Sequence, residues 1–253
     1  MKLNRTLLRA IDVLELLSKS KEGYTLSQLS SVLDSPKSSI FDIMKTLVYK
    51  GMVVEDNQFG ITKYRIGLQS FLIGSSYLNE IDIVNIAKND LIELANKMQA
   101  TTFMAILDDY MVTYLYKYES AKTIITTANI GSRRSIHSAA LGKVMIAYSS
   151  DEELKKAIQK TDFVAYTEYT TTSVEKYLDE LKEVRKKGYA KSDREDTLQQ
   201  VAAAAPVFDH DGKVIAAISC VGFYESQINL DDLGVVVKEV ADRISMNLGY
   251  TPN

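Results

Sequence analysis

Two stretches of this sequence carry side chains whose type and spacing could do chemistry, and in both the chemistry is the holding of an anion. The first is Ile136-His-Ser-Ala-Ala140-Leu141-Gly142-Lys143, where small residues open a helical pattern. The free N–H groups and dipole of a helix start favour a carboxylate, and small side chains let it reach the backbone. A helix start packed tightly on a sheet would use the same residues. The second is Lys37-Ser38-Ser39, directly after Pro36, followed by Asp42 and Lys45 on the polar side of an apolar stripe. Short polar and basic groups on one helix face suit phosphates and base edges.

Catalytic chemistry has little support. Cys220 falls in a strand pattern and reads as a small buried hydrophobe. His137 could bind a ligand or orient the helix start, but no nucleophile at a suggestive spacing accompanies it. Asp193-Arg-Glu-Asp196 reads as a solvated loop rather than an acid/base cluster. No P-loop, GxGxxG or HExxH motif occurs. One cysteine excludes an intramolecular disulfide, and with His137 and His210 the only histidines, a Cys/His zinc site lacks ligands. No catalytic residue, metal or cofactor is expected. Val201-Ala-Ala-Ala-Ala205-Pro206 is unusual, because alanine is a poor strand former. Either a helix packs closely there or a small molecule does.

The elements that position these residues follow from periodicity. Leu7, Ala10, Ile11, Leu14 and Leu17 mark a first helix. Lys19–Tyr24 reads as a turn. Leu26, Leu29 and Leu33 stripe a second helix, which Asp34-Ser35-Pro36 stops. Ile40, Ile43, Met44, Leu47 and Val48 stripe a third, ended by Gly51. Met52–Val54 and Tyr64–Ile66 lean to strand around the turn-rich Glu55–Gly60. Helix, helix, hairpin is a winged helix-turn-helix. Gly67–Asn79 reads as a linker helix, with a domain boundary near Tyr77–Glu80.

Beyond it Asp82 caps a helix over Ile83–Met98. Strand-like runs follow at Thr102–Leu107, Val112–Tyr118 and Thr123–Ala128. Helices are expected over Ser138–Tyr148, Asp151–Ile158 and Val174–Lys187. Strands are expected over Tyr189–Ser192, Val201–Phe208 and Val214–Val221, then a helix over Asp231–Leu248. This mixed order predicts an α+β fold with two domains, residues 1–78 and 79–253.

Composition agrees. The chain has 253 residues, 46% apolar and 25% charged, the balance of a soluble globular protein. No apolar run is long enough to span a membrane, and the amphipathic N-terminal helix carries Asp12 and Glu15, unlike a signal peptide. A cytoplasmic protein is expected. Residues 1–78 hold 10 Lys and Arg against 7 Asp and Glu, and the remainder 20 against 26. The positive end is the end with the polar helix face.

Together these stretches resemble the IclR family of bacterial transcription regulators. LSQLSSVLDSPKSSIFDIMKTLVYKGMV looks like the family's helix-turn-helix and YRIG like its wing end. IHSAALGKVMIAY and VRKKGYAKSDRED…AAPVFDHDGKVIAAISCVGF look like the signatures of its effector domain. The resemblance implies a GAF-like mixed-sheet effector domain, double-stranded DNA and a small organic acid or aromatic compound as partners, and a homodimer or homotetramer that represses rather than activates. The implied DNA contacts are Pro36, Lys37, Ser38, Ser39 and Phe41, then Asp42, Lys45, Tyr49, Lys63 and Arg65. Members often carry Arg where this chain has Asp42.

In the effector site the helix-start amides match at Ala140 and Leu141. An acidic residue common in the pocket is Ser192 here, and a small polar or Cys position is Ala202. Of a pair of serines in the last strand, Ser219 is kept and Val221 replaces the other. Ile136, Gly142 and Gln200 complete the implied set. An alternative reading is an enzyme that acts through the second domain with an accessory DNA-binding module.

Overall fold

In the computed structural model Thr25 shows how the first helices are fixed. Its hydroxyl accepts from the Gln28 N–H at 3.3 Å, while the Gln28 side chain accepts from the Thr25 N–H at 2.8 Å. This reciprocal cap, of the kind that contributes about 0.5–2 kcal/mol, starts α2 (Leu26–Val32). The structure describes residues 3–251 except 59, 81, 122, 124–127 and 225–228. The chain divides into two compact units, Met1–Glu80 and Ile81–Asn253.

The first unit contains α1 (Arg5–Ser18), β1 (Tyr24–Thr25), α2, α3 (Lys37–Tyr49), β2 (Val53–Gln58), β3 (Ile61–Ile66) and α4 (Leu68–Glu80). Val13, Leu17, Leu29, Ile40, Met44 and Val53 form its core. The wing is a three-stranded antiparallel sheet in the order β1-β3-β2. Its strands run through most of the stretch expected as turn, and β1 lies where only a turn was expected. Gly23 permits that pairing: its φ is +72°, and a Cβ there would meet the Tyr64 carbonyl oxygen. The α1 stripe is also shifted. Val13 and Leu17 are buried, whereas Leu7 and Ile11 are 62% and 52% exposed. Two overlapping apolar stripes exist on α1, and the core uses the one through Ala10, Val13, Leu14 and Leu17.

The second unit is a six-stranded sheet in the order β6-β5-β4-β9-β8-β7. The strands are β4 (Thr101–Asp108), β5 (Met111–Glu119), β6 (Arg133–Ser135), β7 (Ala190–Asp193), β8 (Gln200–Phe208) and β9 (Val214–Phe223). Every described pair is antiparallel, so the sheet is not mixed: hairpins join β4 to β5 and β8 to β9. On one face α5 (Asp82–Met98) and α9 (Leu230–Asn247) pack on Met104, Ala203, Ala205, Ile218 and Cys220. On the other, α6 (Ala140–Ala147) and α8 (Val174–Lys187) pack on Phe103, Ala204, Ala217 and Val221. Outside them α7 spans Asp151–Lys160.

The alanine run thus serves both faces by strand alternation. The strand expected over Thr123–Ala128 falls mostly outside the described residues, as does the proposed Asp82 cap. No described helix is long and apolar enough to cross a membrane.

Candidate functional site: a helix face and a buried cavity

The outward face of α3 is set by its inward one. Ile40, Ile43, Met44 and Leu47 are buried, which leaves Lys37, Ser38, Phe41, Asp42, Lys45 and Tyr49 exposed, with Pro36 just before them. Lys45 Nζ lies 5.2 Å from the Phe41 ring centroid. Ser39 differs: it is half-buried and its hydroxyl accepts from Arg9 Nη1 at 3.3 Å, so it is tied to α1. Asp42 borders a groove of about 350 Å³ between α1 and α3, beside Leu7 and Ala10. On the wing, Arg65 pairs with Asp56 at 2.7 Å and Lys63 with Glu22 at 3.8 Å. The wing's cations are therefore partly neutralised, whereas Lys37 and Lys45 have no such carboxylate among the described residues.

The effector candidates converge on the sheet face under α6. Across β7, β8 and β9, Ser192 stands beside Ala202 and Ala202 beside Val221; one pleat further, Ala204 stands beside Ser219. A cavity of about 50 Å³ opens there. Ala140, Leu141, Ser192, Gln200, Ala202, Ser219 and Val221 line it, and so do Ala139, Val201, Tyr114 and Asp196, which sequence reasoning missed. Two candidates lie behind the wall instead. Ile136 is fully buried, and Gly142 has no Cβ because one would sit 2.4 Å from the Ile136 Cα. That close approach seats the start of α6, so these two residues shape the site without facing it.

Three features make the cavity polar in a defined way. Ala139 gives α6 no side-chain cap, so its first N–H groups have no acceptor within the helix. Ser219 is 2% exposed and its hydroxyl has no hydrogen-bond partner. Ser192 donates to the Ser138 carbonyl at 2.8 Å, so toward a ligand it can only accept, not donate as a bare hydroxyl would. Burial pushes the Tyr114 hydroxyl up to about 12, against the opposing pull of Arg134, and it remains a neutral phenol.

Behind α6, Lys143 is buried and held by Glu195 at 2.6 Å and Glu180 at 2.7 Å. The expectation of a solvated loop at Asp193–Asp196 is thus corrected at Glu195. Burial raises its carboxyl above the ordinary range, with Lys143 opposing. A wider cleft of about 590 Å³ adjoins this triad. Its charges are largely paired already, Asp179 with Lys182, Glu183 with Lys186 and Lys191 with Asp231, so the smaller cavity is the better ligand site.

His137 is also structural. Nε2–H donates to the Val164 carbonyl at 3.0 Å, leaving Nδ1 to accept from Ser135, and burial lowers its pKa. Cys220 is buried, and desolvation pushes its thiol up to about 12, so it is no nucleophile. Among the described residues no group of three His, Cys, Asp or Glu could hold a metal.

A winged helix-turn-helix joined in one chain to a separate domain with a small-ligand cavity defines a class, the transcription regulators. Comparison with known proteins narrows it. Residues 6–57 match the IclR helix-turn-helix domain, and residues 75–246 match the C-terminal domain of the bacterial transcriptional regulator IclR. The chain is 31% identical to the transcriptional regulator XynR of Escherichia coli over 211 residues, covering 83% of each. It superposes on the Thermotoga maritima IclR structure with a TM-score of 0.80 at 26% identity, over 97% of this chain and 99% of that one. An IclR homologue from Microbacterium hydrocarbonoxydans complexed with 4-hydroxybenzoate gives 0.84 at 20% identity, over 96% and 98%, a likeness of fold. The chain belongs to the IclR family of DNA-binding transcription regulators. That sets aside the enzyme alternative.

Proposed function

We propose that this regulator reads double-stranded DNA through the exposed face of α3, and that a small organic acid held at the start of α6 modulates that binding. Lys37, Ser38, Phe41, Asp42, Lys45 and Tyr49 are the α3 groups that face outward. Lys63 and Arg65 serve phosphates from the wing once their carboxylate partners are exchanged. The observation that carries the effector reading is Ser219: a hydroxyl buried without a partner costs about 1–3 kcal/mol unless something satisfies it. It shares its cavity with Ala140 and Leu141, at the uncapped helix start. A carboxylate takes N–H bonds from that start and the Ser219 O–H together. The Microbacterium homologue's 4-hydroxybenzoate is itself a carboxylate, which supports the class and not the identity.

Leu7, Leu8 and Ile11 form an exposed apolar stripe on α1. A second copy covering this stripe would give a homodimer or homotetramer, the arrangement that pairs two recognition helices on two half-sites. A cytoplasmic location goes with this role.

Ala202→Phe tests the site. The ring fills the cavity, so the variant should lose the rise in melting midpoint that organic acids give the parent, while ligand-free DNA affinity stays unchanged. A folded Ala202→Phe protein that keeps full effector affinity moves the site elsewhere. Overpacking costs of about 1–3 kcal/mol make a parallel unfolding curve part of the measurement.

A further inference from the structure

The six-stranded sheet has an open edge, and the wide cleft runs along it. Strand β7 is the last in the order, so β8 is its one neighbour in the sheet. The Arg194 N–H donates to the Gln200 carbonyl at 3.0 Å, and β7 continues that register, with Ser192 opposite Ala202 and Ala190 opposite Ala204. Antiparallel pairs alternate between bonded and unbonded. Ala190 and Ser192 therefore bond to β8 as Arg194 does, while Lys191 and Asp193 turn their N–H and C=O groups outward. Those outward groups make no hydrogen bond among the described residues. The cleft of about 590 Å³ straddles them: Tyr189, Lys191 and Asp193 lie in it beside Leu230 at the start of α9, and α8 stands opposite.

The two walls differ. On the α9 side Tyr189 and Leu230 are apolar, and Asp231 already holds Lys187 and Lys191. On the α8 side the carboxylates of Asp179, Glu180, Glu183 and Glu195 face two further lysines, Lys143 and Lys176. Glu180 and Glu195 share Lys143, which leaves one negative charge over. The pairs of Asp179 with Lys182 and of Glu183 with Lys186 are exposed, and such pairs contribute little. A strand laid on β7 sends alternate side chains to opposite faces. Basic residues on one face then meet the α8 carboxylates, and apolar residues on the other meet Tyr189 and Leu230. A second copy fits less well, because its own β7 edge lies between the same two walls.

We propose that β7 is a docking edge that takes up an extended peptide segment of a partner protein, its residues alternately basic and apolar, as a seventh strand of the sheet. The docking is independent of the effector cavity.

Amide hydrogen exchange of the full-length protein reads this docking at Lys191 and Asp193. The probe is a capped peptide of about six residues, an ordinary strand length, alternating lysine and valine. It should slow exchange at both amides, and a glutamate–valine peptide of the same length should not. Lys191→Pro removes one outward N–H and no bond to β8, as an edge position tolerates. It should weaken the peptide about tenfold, the worth of one hydrogen bond. Lys191→Ala keeps that N–H and should bind at least as tightly as the parent. Asp179→Lys with Glu183→Lys changes two exposed side chains and should reverse the preference between the two peptides, a test that stands even where the proline variant does not fold. No slowing by the lysine–valine peptide overturns the docking edge, and so does equal slowing by both peptides or an affinity unchanged in folded Lys191→Pro. Slowing that grows with protein concentration in the absence of peptide also overturns it, and assigns the edge to pairing between two copies.

Discussion

Of the seven helices whose starts are described, α3 and α6 begin without a side-chain cap, whereas Asn4, Thr25, Ser150, Ser173 and Asn229 cap the starts of α1, α2, α7, α8 and α9. Pro36 and Ala139 leave the same backbone donors open in the two places proposed above to hold an anion, a DNA phosphate at one and the effector carboxylate at the other. The surroundings differ. The α3 start is exposed and carries Lys37 and Ser38, while Ala140 and Leu141 at the α6 start are both 3% exposed. On the proposed function one donor set meets a polyanion in water, where salt screens it and lysines supplement it. The other faces a cavity, where dehydration strengthens each bond and no lysine lines the wall. One backbone feature thus suits two anions because the residues around it differ.

The two starts are also anchored differently, and the largest expected effect comes from that. Apolar burial holds α3, whereas α6 is held in part by the Lys143 ion triad. Lys143→Met leaves Glu195 buried without its partner and should cost about 3–5 kcal/mol, read as a lower denaturant midpoint. Lys143→Met with Glu195→Gln should recover much of it. A single variant as stable as the parent would mean that the triad is solvated in solution.

A smaller effect sharpens the α3 side. Asp42 is exposed, accepts hydrogen bonds and repels phosphate, so it suits the N4 amino group of cytosine. Asp42→Arg should change the preferred sequence in a selection experiment by about 1–3 kcal/mol at one base pair rather than abolish binding. Its position beside the α1 groove gives the alternative outcome: identical selected sites would show that Asp42 faces α1 and not the base edges.

What the sequence revealed follows the range of the interactions involved. The α2–α3 pair was legible because its apolar stripes and the Pro36 break are local. So was the α6 start, through its run of small residues. Leu7 and Ile11 were misassigned to the core because α1 carries two apolar stripes and only packing chooses between them. Contacts between distant residues left no trace. Arg134 meets Asp196 across 62 positions and Lys143 meets Glu195 across 52, so Glu195 looked like part of a solvated loop. Ile136 and Gly142 are neighbours of the cavity in sequence but are not among the residues that line it; they pack against each other at the start of α6.

The smallest expected effect tests the comparison itself. An ionised aspartate at an N-cap only accepts hydrogen bonds, so it occupies the open donors and adds a negative charge beside them. Ala139→Asp and Pro36→Asp should each raise stability by about 1 kcal/mol where the cap forms, and each should weaken one activity. Ala139→Asp should cut the effector-induced rise in melting midpoint and leave ligand-free DNA affinity intact. Pro36→Asp should weaken DNA binding at every sequence and leave the effector response intact. Ala139→Asn, a neutral cap, separates occupied donors from charge: an effector response lost with Asp but kept with Asn would assign the effect to repulsion alone. If both aspartates form their caps and neither activity moves, the open donors at α3 and α6 serve neither anion, and their shared lack of a cap is a matter of packing.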